Sequence, residues 1–191
     1  CLCSLLEVLS GRDTIVACSS PPGRGAISVI RMSGDRAFSI IQKITKNKLK
    51  KQISVVKFPL DNDLFEKCVL TIFKSPNSYT GEDIVEISTH GNPFIVEEVI
   101  KKCLNSGAKI AKPGEFTLRA FLNNKLSLDQ SEAVINIINA NSKASLKAAQ
   151  NSLEGGLKVK ISEIQNKLRE TRILVETLID FVDEDVNIYI E

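Results

Sequence analysis

A change of pattern near residue 127 constrains the fold of this chain more than any other feature. All six prolines and every strand-like run lie before it, and no proline or strand-like alternation follows it. The residues Ser127-Leu128-Asp129-Gln130 have the pattern of a capping box, which begins a helix. A length of 191 residues suits one domain with an appendage, or two small domains. We therefore expect an α+β domain followed by a helical region.

Short runs rich in Val and Ile between turn residues predict five strands, over 14–18, 26–32, 53–58, 67–73 and 84–89. Helices are predicted over 35–45 and 93–106, the second with Asn92 as N-cap and Pro93 in the first turn. Its apolar stripe is expected to cover the sheet and consists of Phe94, Val96, Val99, Ile100 and Leu104. The cluster of five lysines between residues 43 and 51 is interpreted as a solvated helix end, with a phosphate-binding patch as the alternative.

The division of the chain follows from these patterns. Residues 1–12 lack an initiator Met and are interpreted as a non-native or disordered leader. Residues 13–128 form the α+β domain, and residues 129–191 form a helical region that Gly155-Gly156 interrupts. Beyond those glycines two apolar columns run at heptad spacing, one of them broken by Thr171. This seam needs partner helices, so we expect an incomplete helical bundle.

Charge and composition exclude several functions. The chain has 25 Lys and Arg against 23 Asp and Glu, a net charge of +2, which argues against binding of nucleic acid by this chain alone. The sequence contains no run of 18 apolar residues, so no membrane span is predicted. None of the 10 glycines precedes a lysine, which excludes the nucleotide-binding P-loop. One His and 5 Cys without CxxC spacing predict no metal site and no Ser-His or Cys-His catalysis, and the cysteines are expected to be reduced and mostly buried.

Polar, glycine-rich segments are the remaining candidates for a site. They cover residues 20–34, 76–91, 112–121 and 122–125. Taken singly, each is ambiguous, because Pro-Gly pairs are ordinary turn chemistry. Arg31 suits a surface ion pair, Glu86 a solvent-facing strand position, and His90 a histidine with a satisfied hydrogen bond.

Taken together, these segments resemble the N-terminal part of the MnmE (TrmE) family of tRNA-modification GTPases. The matching stretches are DTIVA, PPGRGAISVIRMSG, PNSYTGEDIVEISTHG, KPGEFTLRAFLNNKLSL and IDFVDED, which occur in this order across residues 13–185. The resemblance implies a tetrahydrofolate-binding domain similar to that of the aminomethyltransferases. It also implies a helical domain that is split in sequence by an inserted GTPase domain. This chain would hold the first half of the helical domain.

The resemblance further implies a ligand, a reaction and partners. The ligand is 5-formyl- or 5,10-methylene-tetrahydrofolate, the one-carbon donor for modification of the wobble uridine of tRNA. By motif match, its contacts fall on Arg31, Glu86 and Lys125. The family forms a homodimer and works with the flavoprotein MnmG (GidA), and tRNA is bound by the full complex. GTP, Mg²⁺ and K⁺ belong to the full-length family protein, and no catalytic residue or metal ligand is implied here.

Three positions depart from the usual family pattern: Asn92 replaces a Gly, Ser127 replaces an Asp and Val182 replaces a Pro. Two other functions stay open, a ligand-free dimerisation scaffold from a truncated or split gene and a stand-alone one-carbon transferase. The transferase has only Glu86, Asp83 and His90 as candidate acids or bases. The bacterial cytoplasm is the expected location, with an organelle as the alternative, because residues 1–12 lack an Arg-rich transit pattern.

Overall fold

The computed structural model describes residues 13–47, 51–61 and 63–180. The predicted leader, residues 1–12, lies outside the described residues, as do Val182 and the acidic stretch 183–185. The chain divides into two compact units between Leu126 and Ser127.

The described residues of the first unit form six strands and three helices. The strands are β1 (Ile15–Cys18), β2 (Gly25–Ser33), β3 (Ile53–Pro59), β4 (Phe65–Phe73), β5 (Ile84–Gly91) and β6 (Lys109–Ile110). The helices are α1 (Ala37–Thr45), α2 (Pro93–Asn105) and α3 (Glu115–Leu122). The sheet order is β3-β4-β5-β2-β1-β6, antiparallel throughout except for the parallel pair β1–β6. This mixed sheet with helices confirms the predicted α+β class.

The sequence predicted β1 to β5, α1 and α2 and missed two elements. Strand β6 has only two residues, too few for an alternation to show. Helix α3 begins after Gly114, which has a φ of 74°, and the Pro113-Gly114 pair that marks its start has the composition of a turn.

One face of the sheet is buried against helices α1 and α2. The other, called the open face below, is exposed over part of its area and is buried at Ile15 and Ile84. In β2, Ile30 and Met32 are fully buried, and Arg31 between them points to the opposite face. In β5, Val85 and Ile87 are fully buried and flank Glu86 in the same way. Each such buried aliphatic side chain contributes about 1.5–3 kcal/mol to folding. The alternation therefore fixes Arg31 and Glu86 on the open face, because a slip of one residue would bury both charges.

Helix α2 has the predicted start but not the full predicted stripe. The Asn92 side chain accepts a hydrogen bond from the backbone N–H of Phe94, and Pro93 occupies the first turn. Val99 is buried, with Val96 and Ile100 packed against the core. Phe94 and Leu104, however, are 57% and 37% exposed, so the prediction that they cover the sheet is wrong. Cys103 occupies the buried position instead.

The second unit is helical, with α4 (Leu128–Ile138), α5 (Lys143–Leu153) and α6 (Gly156–Asp180). The predicted capping box is confirmed: the Ser127 hydroxyl accepts from the Gln130 backbone and the Gln130 side chain accepts from the Ser127 backbone. The break at the glycines is confirmed as well, with Gly155 at a φ of 84°. The seam residues Ile161, Ile164, Leu168, Val175 and Leu178 are all exposed. Within the described residues, no helix is long and apolar enough to cross a membrane.

Candidate functional site

Arg31 and Glu86 face each other across β2 and β5 and form an ion pair. The strand register places the two residues directly opposite one another. The guanidinium donates to Oε1 of Glu86 twice, from Nε at 2.9 Å and from Nη2 at 2.7 Å. The side chains are 25% and 22% exposed. Since both contacts use Oε1, and no described residue donates to Oε2, the second carboxylate oxygen is available to a ligand.

Two aromatic rings adjoin the guanidinium of Arg31. The Cζ atom of Arg31 lies 5.2 Å from the centre of the Tyr79 ring and 5.7 Å from the centre of the Phe116 ring. A cation at this distance from a ring is attracted by about 0.5–2 kcal/mol, depending on desolvation. The Tyr79 hydroxyl shares a 2.9 Å hydrogen bond with Thr117 Oγ1. This bond ties the loop 74–83 to helix α3, so the rings are held beside the pair.

A buried arginine, Arg119, holds the surrounding segments together. Its Nη1 donates to the backbone oxygen of Asp13 at 2.8 Å and to the Glu82 carboxylate at 3.1 and 3.2 Å. Its Nη2 donates to Glu115 Oε1 at 3.0 Å. The hydroxyl of Ser33, at the end of β2, also donates to Glu82 Oε2, at 2.7 Å. Helix α3, the loop and the start of β1 therefore meet at one guanidinium.

Lys125, which follows helix α3, contacts the loop 74–83 near Gly81. Gly81 has a φ of 78°, and a Cβ at this position would lie 3.2 Å from Lys125 Cγ and 3.1 Å from Asn123 Cβ. Asn123 Nδ2 also donates to the backbone oxygen of Thr80 at 2.7 Å. Lys125 is exposed and makes no ion pair with any described residue. The structure thus joins Arg31 to Glu86 directly, while Lys125 contacts their loop and not the pair itself.

His90 is engaged elsewhere. Its Nδ1 and its backbone N–H both bond Glu66 Oε1, at 2.7 and 2.9 Å, while the ring remains 74% exposed. Glu86 and His90 are separated by four residues of one strand, about 13 Å. At that distance the two side chains are beyond direct hydrogen-bond reach of each other. Asp83 accepts from the backbone N–H of Ser75 at 2.9 Å.

The described cysteines serve packing. Cys18, Cys68 and Cys103 are free thiols, and the last two are buried. Burial raises the pKa of Cys103 from 9.0 to about 12. Burial and the charge of Glu66 together raise the pKa of Cys68 from 9.0 to about 12. Both therefore stay protonated and unreactive at neutral pH.

Sequence reasoning identified Arg31, Glu86 and Lys125 but missed the groups that support them. Tyr79, Phe116, Glu82 and Arg119 all stand in the polar segments quoted above, but none of them was predicted as a site residue. Glu82 and Arg119 are 37 positions apart in the chain. Only the fold shows that they meet.

The fold and the site define an α+β module with an ion pair on the open face of its sheet, followed by a helical unit. Each of the two parts matches a protein-family model. Residues 14–125 match the model of the GTP-binding protein TrmE N-terminus, and residues 128–191 match the MnmE helical domain. The chain therefore belongs to the TrmE (MnmE) family.

Similar full-length proteins extend this result. Over 177 residues the chain is 49% identical to the tRNA modification GTPase MnmE of Francisella tularensis subsp. holarctica (strain OSU18), covering 92% of this chain and 39% of that protein. Identity is also 49% to the protein of that name from subsp. novicida and 48% to the one from Francisella philomiragia, with the same coverage. The chain spans about two fifths of the length of these relatives.

Proposed function

We propose that this chain is the tetrahydrofolate-binding and dimerising module of a tRNA-modification GTPase. The observation that carries the proposal is the half-buried Glu86 carboxylate, whose Oε1 is held by Arg31 and whose Oε2 accepts from no described residue. A carboxylate oxygen fixed in this way suits a ligand that presents ring N–H or NH₂ donors. The pterin ring of 5-formyl- or 5,10-methylene-tetrahydrofolate presents such an edge.

The neighbouring groups suit the remaining parts of a folate. Tyr79 and Phe116, whose ring centres lie 5.2 and 5.7 Å from Arg31 Cζ, provide aromatic surface against which a flat ring packs. Lys125 carries an exposed ammonium group that suits a carboxylate of the glutamate tail. When bound, the folate supplies a one-carbon unit, and the residues described here bind and orient it. No residue of this chain is assigned a catalytic role.

The open face of the sheet supports the proposed homodimer. Ile27, Ile53, Val55 and Phe65 are exposed, between 53% and 67%, and alternate along their strands with buried residues. Apolar side chains on one sheet face are a common feature of protein interfaces. In the dimer we propose, this face pairs with that of a second copy.

The activity of the whole protein extends the same proposal. We propose that the module serves modification of the wobble uridine of tRNA, to the carboxymethylaminomethyl or aminomethyl form, in the cytoplasm and together with the flavoprotein MnmG. The relatives are named tRNA modification GTPases, which supports this role. GTP, Mg²⁺ and K⁺ would be used by the GTPase region of the full-length protein, because the present sequence contains no P-loop.

Calorimetric titration with 5-formyl-tetrahydrofolate tests the binding site. We expect Glu86→Gln to weaken binding about 10- to 100-fold, since one charged acceptor is replaced by a neutral amide. Glu98→Gln is the matched control, because Glu98 is also paired, with Lys101 at 3.3 Å, but lies on helix α2. Binding that is absent in the folded chain, or equal in both variants, contradicts the proposal.

Two further measurements separate the two other functions. A dimer in sedimentation analysis without folate binding identifies a ligand-free scaffold. Turnover of 5,10-methylene-tetrahydrofolate by the chain alone identifies a stand-alone transferase. His90 bonds Glu66 and lies about 13 Å along the strand from Glu86. This arrangement argues against the transferase.

A further inference from the structure

A second cleft, separate from the Arg31–Glu86 pair, lies where helix α1 meets the ends of β3 and β4. Its volume is about 600 Å³, within the range of about 300–1,000 Å³ typical of small-molecule sites. Its lining includes Phe38, Gln42, Lys51, Gln52, Phe73 and Lys74. Arg31, Glu86 and Lys125 do not line it.

The charge of this cleft is positive. Lys51 and Lys74 contribute two ammonium groups, and no Asp or Glu is among the described residues that line it. The nearby Asp83 carboxylate accepts from the backbone N–H of Ser75 at 2.9 Å. The first unit as a whole is basic, since residues 13–126 contain 17 Lys and Arg against 11 Asp and Glu, a difference of +6. An anionic ligand is therefore favoured at this position.

The other lining groups indicate which anion fits. Two phenylalanines, Phe38 and Phe73, are partly buried in the wall. Gln42, Gln52 and Asn77 add side-chain amides, each able to donate and to accept hydrogen bonds. Aromatic surface for a base, amides for its polar edge and lysines for a phosphate are the combination that recognises an unpaired nucleotide. A simple inorganic anion uses only the lysines.

We propose that this cleft, which we call the α1–β4 cleft, binds a single unpaired nucleotide. Lys51 and Lys74 hold its phosphate, and Phe38, Phe73 and the three amides contact its base. Two lysines make only about two phosphate contacts, so the interaction is weak and strongly salt-dependent. The nucleotide comes either from a single-stranded stretch of RNA or from a free nucleoside monophosphate. The proposal is independent of the folate site.

A titration of the ¹⁵N-labelled full chain, followed by amide chemical shifts, tests the proposal with two probes. One probe is hexauridylate and the other is uridine monophosphate. We expect the shifts to concentrate on the amides of Gln52, Ser75 and Asn77. The variant Lys51→Gln with Lys74→Gln should weaken binding at least about tenfold, because two charge-assisted contacts are lost. For hexauridylate, the slope of log affinity against log salt should fall by about 1.4.

The control variant is Lys143→Gln with Lys147→Gln, which removes the same charge from exposed positions of helix α5. It should change affinity by less than about twofold, since neither lysine lines the cleft. Equal losses in the two variants would show non-specific attraction and overturn the proposal. So would the absence of shifts with both probes, or tripolyphosphate binding as tightly as uridine monophosphate.

The two probes separate the sources of the nucleotide. Binding of hexauridylate alone assigns the cleft to RNA, and tighter binding of the monophosphate assigns it to a free nucleotide. A parallel titration with 5-formyl-tetrahydrofolate keeps this result apart from the folate site. Glu86→Gln should leave the nucleotide shifts unchanged, and the Lys51–Lys74 double variant should leave folate affinity unchanged. Folate shifts centred on the α1–β4 cleft would overturn the nucleotide proposal.

Discussion

The guanidinium of Arg31 donates two hydrogen bonds to one oxygen of Glu86, at 2.9 and 2.7 Å, and leaves the other oxygen unused. A forked pair usually engages both carboxylate oxygens, which satisfies the two ions within the protein. Here the pair is fixed by strand register and by the rings of Tyr79 and Phe116, yet it retains an acceptor. This arrangement is suited to binding more than to stability.

Arg31→Lys tests that distinction. Lysine keeps the positive charge but loses the planar donor fork, so Glu86 is oriented less firmly. We expect the affinity for 5-formyl-tetrahydrofolate to fall about tenfold, while the free energy of unfolding changes by about 1 kcal/mol or less, since ion pairs near the surface contribute little. Calorimetry and urea unfolding measure the two effects. A large loss of stability with unchanged folate affinity would show that the pair is structural.

Arg119→Met, in contrast, should strongly lower the free energy of unfolding. Arg119 bonds Glu82, Glu115 and the backbone of Asp13, and its side chain is 6% exposed. Methionine leaves two carboxylates without their cation, and breaking a buried pair costs about 3–5 kcal/mol. Urea unfolding measures the loss. The control is Arg172→Met, whose exposed pair with Glu176 contributes about 0.5 kcal/mol or less. Similar losses in both variants would rule out the buried cluster as a stabilising element.

Two glycines that face each other in the sheet should respond differently to alanine. A Cβ at Gly91 would lie 2.4 Å from the backbone oxygen of Gly25, a distance that forces β2 and β5 apart. A Cβ at Gly25 meets only the backbone oxygen of Ile27, at 4.0 Å. We expect Gly91→Ala to destabilise the chain by about 1–3 kcal/mol, as overpacking does. Gly25→Ala should change the free energy of unfolding by less than about 1 kcal/mol. Thermal unfolding of both variants distinguishes them, and equal effects would contradict the close approach.

The sequence predicted the elements that have a local signal. Strands β2 and β5 are short runs rich in Val and Ile between turn residues, and Asn92 and Ser127 have the chemistry of helix caps. What failed lacks such a signal or depends on the assembled fold. Phe94 lies on the side of α2 that carries Glu97, Glu98 and Lys101, three, four and seven residues further on, so it is exposed, and Ile95 packs against the core instead.

The site followed the same rule. Arg31 and Glu86 are 55 positions apart and meet because β5 pairs with β2 and not with β1. The family motifs pointed to both residues, but the unused Oε2 is visible only in the fold. Net charge also conceals a local difference, because +2 for the whole chain is the sum of +6 in residues 13–126 and −4 in residues 127–191, where there are 7 basic and 11 acidic side chains.

The buried thiols give a prediction that depends on pH. A pKa raised from 9.0 to about 12 means that, at pH 9, only about one thousandth of Cys68 and Cys103 is ionised, against half of an ordinary thiol. Iodoacetamide reacts with the thiolate, so alkylation of both in the folded chain should be at least about 100-fold slower than in urea. Half-buried Cys18 serves as the internal comparison and should react before Cys68 and Cys103. Because the unfolded chain releases these protons near pH 9, stability should fall as pH rises from 9 toward 12. Peptide mass spectrometry measures the rates, and equal labelling of folded and unfolded chains would contradict the burial of both thiols.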